Sequence, residues 1–200
     1  WLPLDKVRKK LSYEHDIDVI DRFAALLKKG RARTFAVIAV RHGKAVPPAT
    51  WDGPDATRPL MHRGADQAIT IAPAIAAYAP EKILSSTATR CVSTVAPLAQ
   101  LTGLPIKETA LISQDAFEYG QGDVAAVVAR RLKKKRTAVL CSHGPVLPQI
   151  IGEVAAATGT SVDSALRDAA SLDTGSFTVL HISRSHPKRG IVAVETHSPA

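Results

Sequence analysis

Thr34-Phe35-Ala36-Val37-Ile38-Ala39-Val40-Arg41-His42-Gly43 is the stretch that decides the fold. Residues 34–40 form an unbroken, mostly apolar run, the pattern of a strand covered on both faces. It empties into Arg-His-Gly. Open α/β sheets bind ligands at the carboxyl ends of their strands, so His42 is aimed at a crevice, with Arg41 beside it as a fixed cation. The pair reads as a phosphoryl-group site, the imidazole attacking and the guanidinium holding phosphate oxygens bidentately. A surface His-Gly turn would look the same in isolation, so the decision rests on two further strand ends.

The first is Lys82-Ile83-Leu84-Ser85-Ser86, after which Thr87-Ala88-Thr89-Arg90 opens a helical pattern through Val92, Val95 and Leu98 that stops near Gly103. Arg90 falls in the first turn, where the helix dipole favours anions over cations. Its placement makes sense if an anionic ligand satisfies both the guanidinium and the free backbone N–H groups. The second is Thr137-Ala138-Val139-Leu140-Cys141, delivering Ser142-His143-Gly144-Pro145, with Pro145 suited to the first turn of the next helix. Three strand ends thus converge on Arg41, His42, Arg90 and His143.

A strand ending in Arg-His-Gly, a later Ser-Ser-x-x-x-Arg and a later Ser-His-Gly resemble the histidine phosphatase superfamily, with its phosphoglycerate mutase-like fold. The resemblance runs from about Thr34 to Thr196. Within the superfamily, Arg41-His42-Gly43-Lys44-Ala45, then Asp55-Ala56-Thr57-Arg58-Pro59-Leu60 and Arg63-Gly64, are similar to the compact SixA-like phosphohistidine phosphatases. The Ser and Trp-Asn that follow Arg-His-Gly in the mutases are absent. The resemblance implies that the Gly43 carbonyl orients the His42 ring and that Arg58 adds a phosphate contact. Lys44 either does the same or sits at the rim, and Gly144 joins the substrate-binding set. It also places a proton donor after the second strand-helix unit, where Asp115 and Glu118 both qualify; solvated loop carboxylates are the alternative.

Phosphoryl transfer spreads charge over three equatorial oxygens, so positioning and electrostatics carry most of the catalysis. Arg41, Arg90 and His143 would supply both. Neutral His42 would attack in line to give a phosphohistidine that water then hydrolyses, and flanking arginines favour the uncharged ring.

The 200 residues, 46% hydrophobic but only 4% aromatic, suffice for one main core built of Ala, Val, Leu and Ile. The expected architecture is a three-layer α/β/α domain with a mainly parallel sheet. Its centre is 34–40, 82–86 and 137–142, with 176–182 and 191–196 as a terminal hairpin. Helices are expected near 63–78, 88–101, 123–134 and 146–158. The Pro- and Gly-rich stretch 46–60 is expected to fold over the site as a lid or specificity loop. No long apolar run or signal-peptide pattern occurs, which predicts a cytoplasmic protein without a membrane partner. Cys91 and Cys141 lack metal spacing and read as buried thiols, and no His-x-x-x-His or Cys-x-x-Cys occurs, so no metal or other cofactor is expected for this domain.

The net charge of +8 concentrates in 6–10, 28–33 and 130–136. The last cluster ends a helix that Asp123 is placed to cap, so dipole complementarity and a solvated face account for it. A positive surface also steers anionic substrates such as nucleotides. Nucleic-acid binding is disfavoured, because no aromatic platform is interleaved with the cations.

Residues 1–30 stand outside the phosphatase pattern, which occupies 31–200. Trp1-Leu2-Pro3-Leu4-Asp5 reads as an extended turn, Leu11-Ser12 offers an N-cap, and Ile17, Ile20, Phe23, Ala24 and Leu27 recur at helical spacing. The segment resembles the closing turn and helix of Nudix hydrolases; an extra helix packed on the sheet is the alternative. The chain lacks an initial Met and anything resembling the Mg²⁺-holding Nudix box. It is therefore expected to be the phosphatase half of a bacterial protein with an N-terminal MutT-type Nudix domain as its partner. Such fusions resemble enzymes that degrade 8-oxo-dGTP and diadenosine polyphosphates, Mg²⁺ belonging to the Nudix domain alone. Phosphohistidine on a protein is the alternative substrate, and a non-catalytic docking or dimerisation role the third reading.

Overall fold

A computed structural model describes residues 1–199. Six strands form one sheet: β1 (Thr34–Arg41), β2 (Lys82–Ser85), β3 (Ile106–Glu108), β4 (Ala138–Ser142), β5 (Phe177–Ser183) and β6 (Ile191–His197), in the order β3-β2-β4-β1-β5-β6. The first four pair in parallel, while β5 runs antiparallel to β1 and to β6. The mainly parallel sheet with a terminal hairpin is as expected from the sequence. In register, Arg41 faces Ser142 and Ser85 faces Cys141. The residues that follow, His42, Ser86 and His143, therefore emerge side by side at the carboxyl ends of the central strands.

Alternation along β1 splits the core. Phe35, Val37 and Ala39 pack with α7 (Leu147–Thr158) and α8 (Ser164–Ala170), whereas Ala36, Ile38 and Val40 pack with α3 (His62–Ala76) and α4 (Thr89–Thr102). Ile71, Ala72 and Ile75 of α3 and Cys91, Val95 and Leu98 of α4 recur at helical spacing on their buried faces. The α4 helix stops at Gly103 and α7 at Gly159, each with positive φ, a conformation that glycine adopts without steric penalty. Asp123 caps α6 (Val124–Lys134), accepting the Ala126 N–H at 2.8 Å.

Three local readings need correction. Leu4–Val7 forms a helical turn, α1, rather than an extended turn, with Pro3 at its start. The N-cap of α2 (Glu14–Lys28) is Tyr13, and no side chain, Ser12 included, bonds the free N–H groups there. Pro145 lies in a turn before α7, and it is Pro148 that occupies the first turn. The 46–60 segment, expected to fold over the site, is anchored at its ends: Ala45 bridges Leu60, and two 3₁₀ turns, Pro48–Thr50 and Asp55–Thr57, lie between. None of the residues of α2 is fully buried.

Candidate active site

His42 is fixed by its own chain. Its Nδ1 lies 2.8 Å from the Gly43 carbonyl, an acceptor, so Nδ1 carries the proton and Nε2 keeps a lone pair. The Gly43 N–H donates to Thr94 Oγ1 at 2.9 Å, and Thr94 in turn donates to the Arg90 carbonyl, which ties the loop to the first turns of α4. A Cβ on Gly43 would sit 2.6 Å from the Gly64 carbonyl oxygen, so only glycine lets α3 approach this closely. From below, the Gly175 N–H reaches the carbonyls of Arg41 and His42.

The His42 and His143 rings meet edge to face, centroids 5.3 Å apart. His143 is buried, and its Nδ1 lies 3.2 Å from Arg90 Nη2. Arginine only donates, so Nδ1 accepts and the proton sits on Nε2, facing Ser86 Oγ at 2.9 Å. Cys91 Sγ lies 3.4 Å from the same Nε2. The expected buried thiol is thus also a wall of the site.

Arg90 is 1% exposed. Asp55 holds it: Nη2 meets Oδ2 at 2.8 Å and Nη1 the backbone carbonyl at 2.7 Å. The other carboxylate oxygen of Asp55 pairs with Arg58 Nε at 2.6 Å, and Arg58 Nη1 donates to the Val46 carbonyl. The 46–60 segment therefore reaches the centre through Asp55, to which the sequence reading gave no role.

Arg41 leaves β1 toward the α7/α8 layer. Its Nη1 donates to the Leu172 carbonyl, and its guanidinium lies under Gly144, where a Cβ would come within 3.3 Å of Cζ. The Nε–H groups of both Arg41 and Arg90 are buried without a partner among the described residues. Buried unpartnered donors are costly, and an oxyanion between them would supply the acceptor. A cavity of about 650 Å³ opens beside Arg41, walled by Pro148, Ile151, Val162, Leu166 and Leu172 with Arg167 at its edge.

Burial, reinforced by the charges of His143, Arg90 and Arg41, pushes the His42 pKa from 6.5 to about 3 against the opposing pull of the Gly43 hydrogen bond. The ring is neutral at physiological pH, the form a nucleophile requires.

The structure brings Arg41, His42, Arg90, His143, Gly43 and Gly144 together, with Arg58 joined through Asp55. Lys44 is exposed, and its backbone N–H binds Gln67 Oε1 at 2.9 Å. Asp115 and Glu118 lie exposed on the short helix α5 (Gln114–Glu118), where Glu118 accepts from Gln114, and among the described residues no hydrogen bond links either to the histidines. The carboxylate that holds Arg90 is Asp55. Among the described residues, no group of three or more His, Cys, Asp or Glu side chains is placed to hold a metal, and no helix is long and apolar enough to cross a membrane.

Residues 37–122 match the model of the histidine phosphatase superfamily, branch 1. That segment, which carries Arg41, His42 and Arg90, is similar to the histidine phosphatase superfamily. Members and relatives of this superfamily support a hydrolase, specifically a phosphatase. The chain is 31% identical over 151 residues to an 8-oxo-(d)GTP phosphatase of Mycolicibacterium smegmatis, across 76% of this chain and 46% of that protein. It thus spans about half the length of that curated relative. The histidine phosphatase fold is shared with the SixA structure from Nakamurella multipartitia, at TM-score 0.64 and 17% identity over 85% of this chain and 99% of that one. It is shared as well with the protein histidine phosphatase SixA solved with tungstate, at TM-score 0.61 and 19% identity over 82% and 97%.

Proposed function

We propose that this chain is a phosphatase domain that works through a phosphohistidine on His42, acting on nucleotides or polyphosphorylated nucleosides within a longer protein that carries a MutT-type Nudix domain. The observation that carries the mechanism is the His42 ring, neutral, with Nδ1–H tied to Gly43 and the Nε2 lone pair free. Nε2 attacks phosphorus, the bond to the leaving oxygen breaks, and that oxygen takes a proton. Water then attacks phosphorus, the P–N bond breaks, and inorganic phosphate leaves. Arg41 and Arg90 hold the equatorial oxygens, with Nε donors that have no partner among the described residues. The route needs no metal.

Support for a nucleotide comes from the relative acting on 8-oxo-(d)GTP and from the cavity beside Arg41, roomy enough for a leaving group larger than phosphate. Support for the second reading, protein phosphohistidine, comes from the site itself. The carboxylate that holds Arg90, Asp55, is ion-paired to Arg58 as well, and an imidazole leaving group depends less on a strong acid than an alkoxide does.

The test is to quench turnover with labelled nucleoside diphosphate, p-nitrophenyl phosphate or a phosphohistidine peptide. An acid-labile phosphoenzyme on the wild-type chain, absent from His42→Ala, is the expected result. Activity retained by His42→Ala, or an acid-stable adduct, refutes the mechanism. The substrate giving the highest kcat/KM decides between the two readings.

A further inference from the structure

The opposite end of the sheet carries a second concentration of charge. Lys82 opens β2, Lys107 lies on the edge strand β3, Arg130, Arg131 and Lys134 belong to the last turns of α6, and Arg136 follows it. These six cations line one groove of about 330 Å³. Among the described residues that line it, the only carboxylate is Glu81, 3.4 Å from Arg136. A second hollow, sharing Lys107, Arg130 and Arg131, prolongs the groove along β3 toward Thr109.

A helix dipole explains basic residues at the C-terminus of α6. It does not explain why two different strands point lysines into the same groove. Like charges gathered in a cleft with low-dielectric walls repel one another and focus the field outward. Arg131 bears the cost most directly: its Nε is buried without a partner among the described residues. Burial and the neighbouring Arg130 also lower its pKa.

We infer that this groove is a binding site for a short linear oligophosphate, separate from the phosphatase centre at the other end of the strands. Several cations along one narrow channel suit a chain of closely spaced anionic groups better than a single phosphate. Two guanidiniums on adjacent residues provide bidentate donors for its oxygens.

The experiment titrates inorganic tripolyphosphate into the chain at about 0.15 M ionic strength, using the parent, Lys107→Gln/Arg131→Gln and Lys107→Glu/Lys134→Glu. The second pair changes only exposed residues and guards against a folding defect at Arg131. Saturable binding by the parent is expected, weakened at least about tenfold in both variants, the scale of one lost charge-assisted contact. Turnover of p-nitrophenyl phosphate should stay at the parent level in both. Absence of saturable binding, or equal affinity in parent and variants, overturns the assignment. So does tight binding of a short single-stranded oligonucleotide that tripolyphosphate fails to displace, which would make the groove a nucleic-acid site.

Discussion

Asp55 and Arg90 are joined twice, carboxylate to Nη2 at 2.8 Å and backbone carbonyl to Nη1 at 2.7 Å, so a residue 35 positions away in sequence sets the orientation of the proposed catalytic cation. Asp55→Asn should lower kcat for p-nitrophenyl phosphate by about tenfold to a hundredfold, the scale of a mispositioned oxyanion donor, with little effect on KM. Burial pushes the Asp55 carboxyl up, but the Arg58 hydrogen bond and the Arg90 charge outweigh it and leave it below 3.8. Its contribution is therefore complete above that value and lost only as pH falls through the lower folded one. The ratio of wild-type to variant kcat should stay constant from neutral pH down to about 5; an unchanged kcat would show that Arg90 holds its place unaided.

The low pKa of His42 also links the site to stability. Unfolded, the ring takes a proton below 6.5; folded, it resists until about 3. Stability should fall as pH drops through that window and be unaffected by this group above it. Urea unfolding at pH 7 and pH 4.5 should show the wild type losing on the order of 2 kcal/mol more than His42→Gln. Parallel losses in the two proteins would contradict a neutral buried ring.

Arg41→Lys and Arg90→Lys keep the charge but lose the fork. Each should reduce kcat by roughly two orders of magnitude, with Arg90→Lys also losing one of its two Asp55 contacts. Kinetics unchanged in both would make the arginines structural.

Two glycines should respond in opposite directions. A Cβ on Gly64 would run into the Lys44 carbonyl oxygen and lie 2.8 Å from the Lys44 nitrogen, backbone that cannot move without disturbing Arg-His-Gly. Gly64→Ala should cost about 1–3 kcal/mol and reduce activity with it. At Gly152, inside α7, nothing lies within 4 Å, so alanine should stabilise the chain by about 0.5–1 kcal/mol. Urea midpoints of the two variants measure both effects.

EDTA should leave p-nitrophenyl phosphate hydrolysis by this chain unchanged. A loss restored by Mg²⁺ would bring a metal into the reaction and end the metal-free proposal.

The strand ends were legible because buried parallel strands read as apolar runs and the residues after them are fixed by register alone. Asp123 was legible for a similar reason, since a cap acts within three residues. What escaped depends on distance in space. Asp55 stands inside a quoted motif, yet nothing local says that it spans 35 residues to Arg90. Asp115 and Glu118 have suitable chemistry, but composition does not say that α5 leaves them in solvent. The short β3 at the sheet edge, burying none of its three residues fully, gives no periodicity to read, and α8 is only two turns long.

Arg41 and His42, adjacent in sequence, belong to opposite halves of the molecule. The guanidinium rests on the α7/α8 layer through Leu172 and Gly144, while the imidazole turns to His143 and the α4 side. Neighbouring residues at one strand end are thus positioned by different hydrophobic layers, with Arg90 on the same side as His42. Repacking the α7/α8 layer would shift the Arg41 guanidinium first and reach the His42 ring only through its charge.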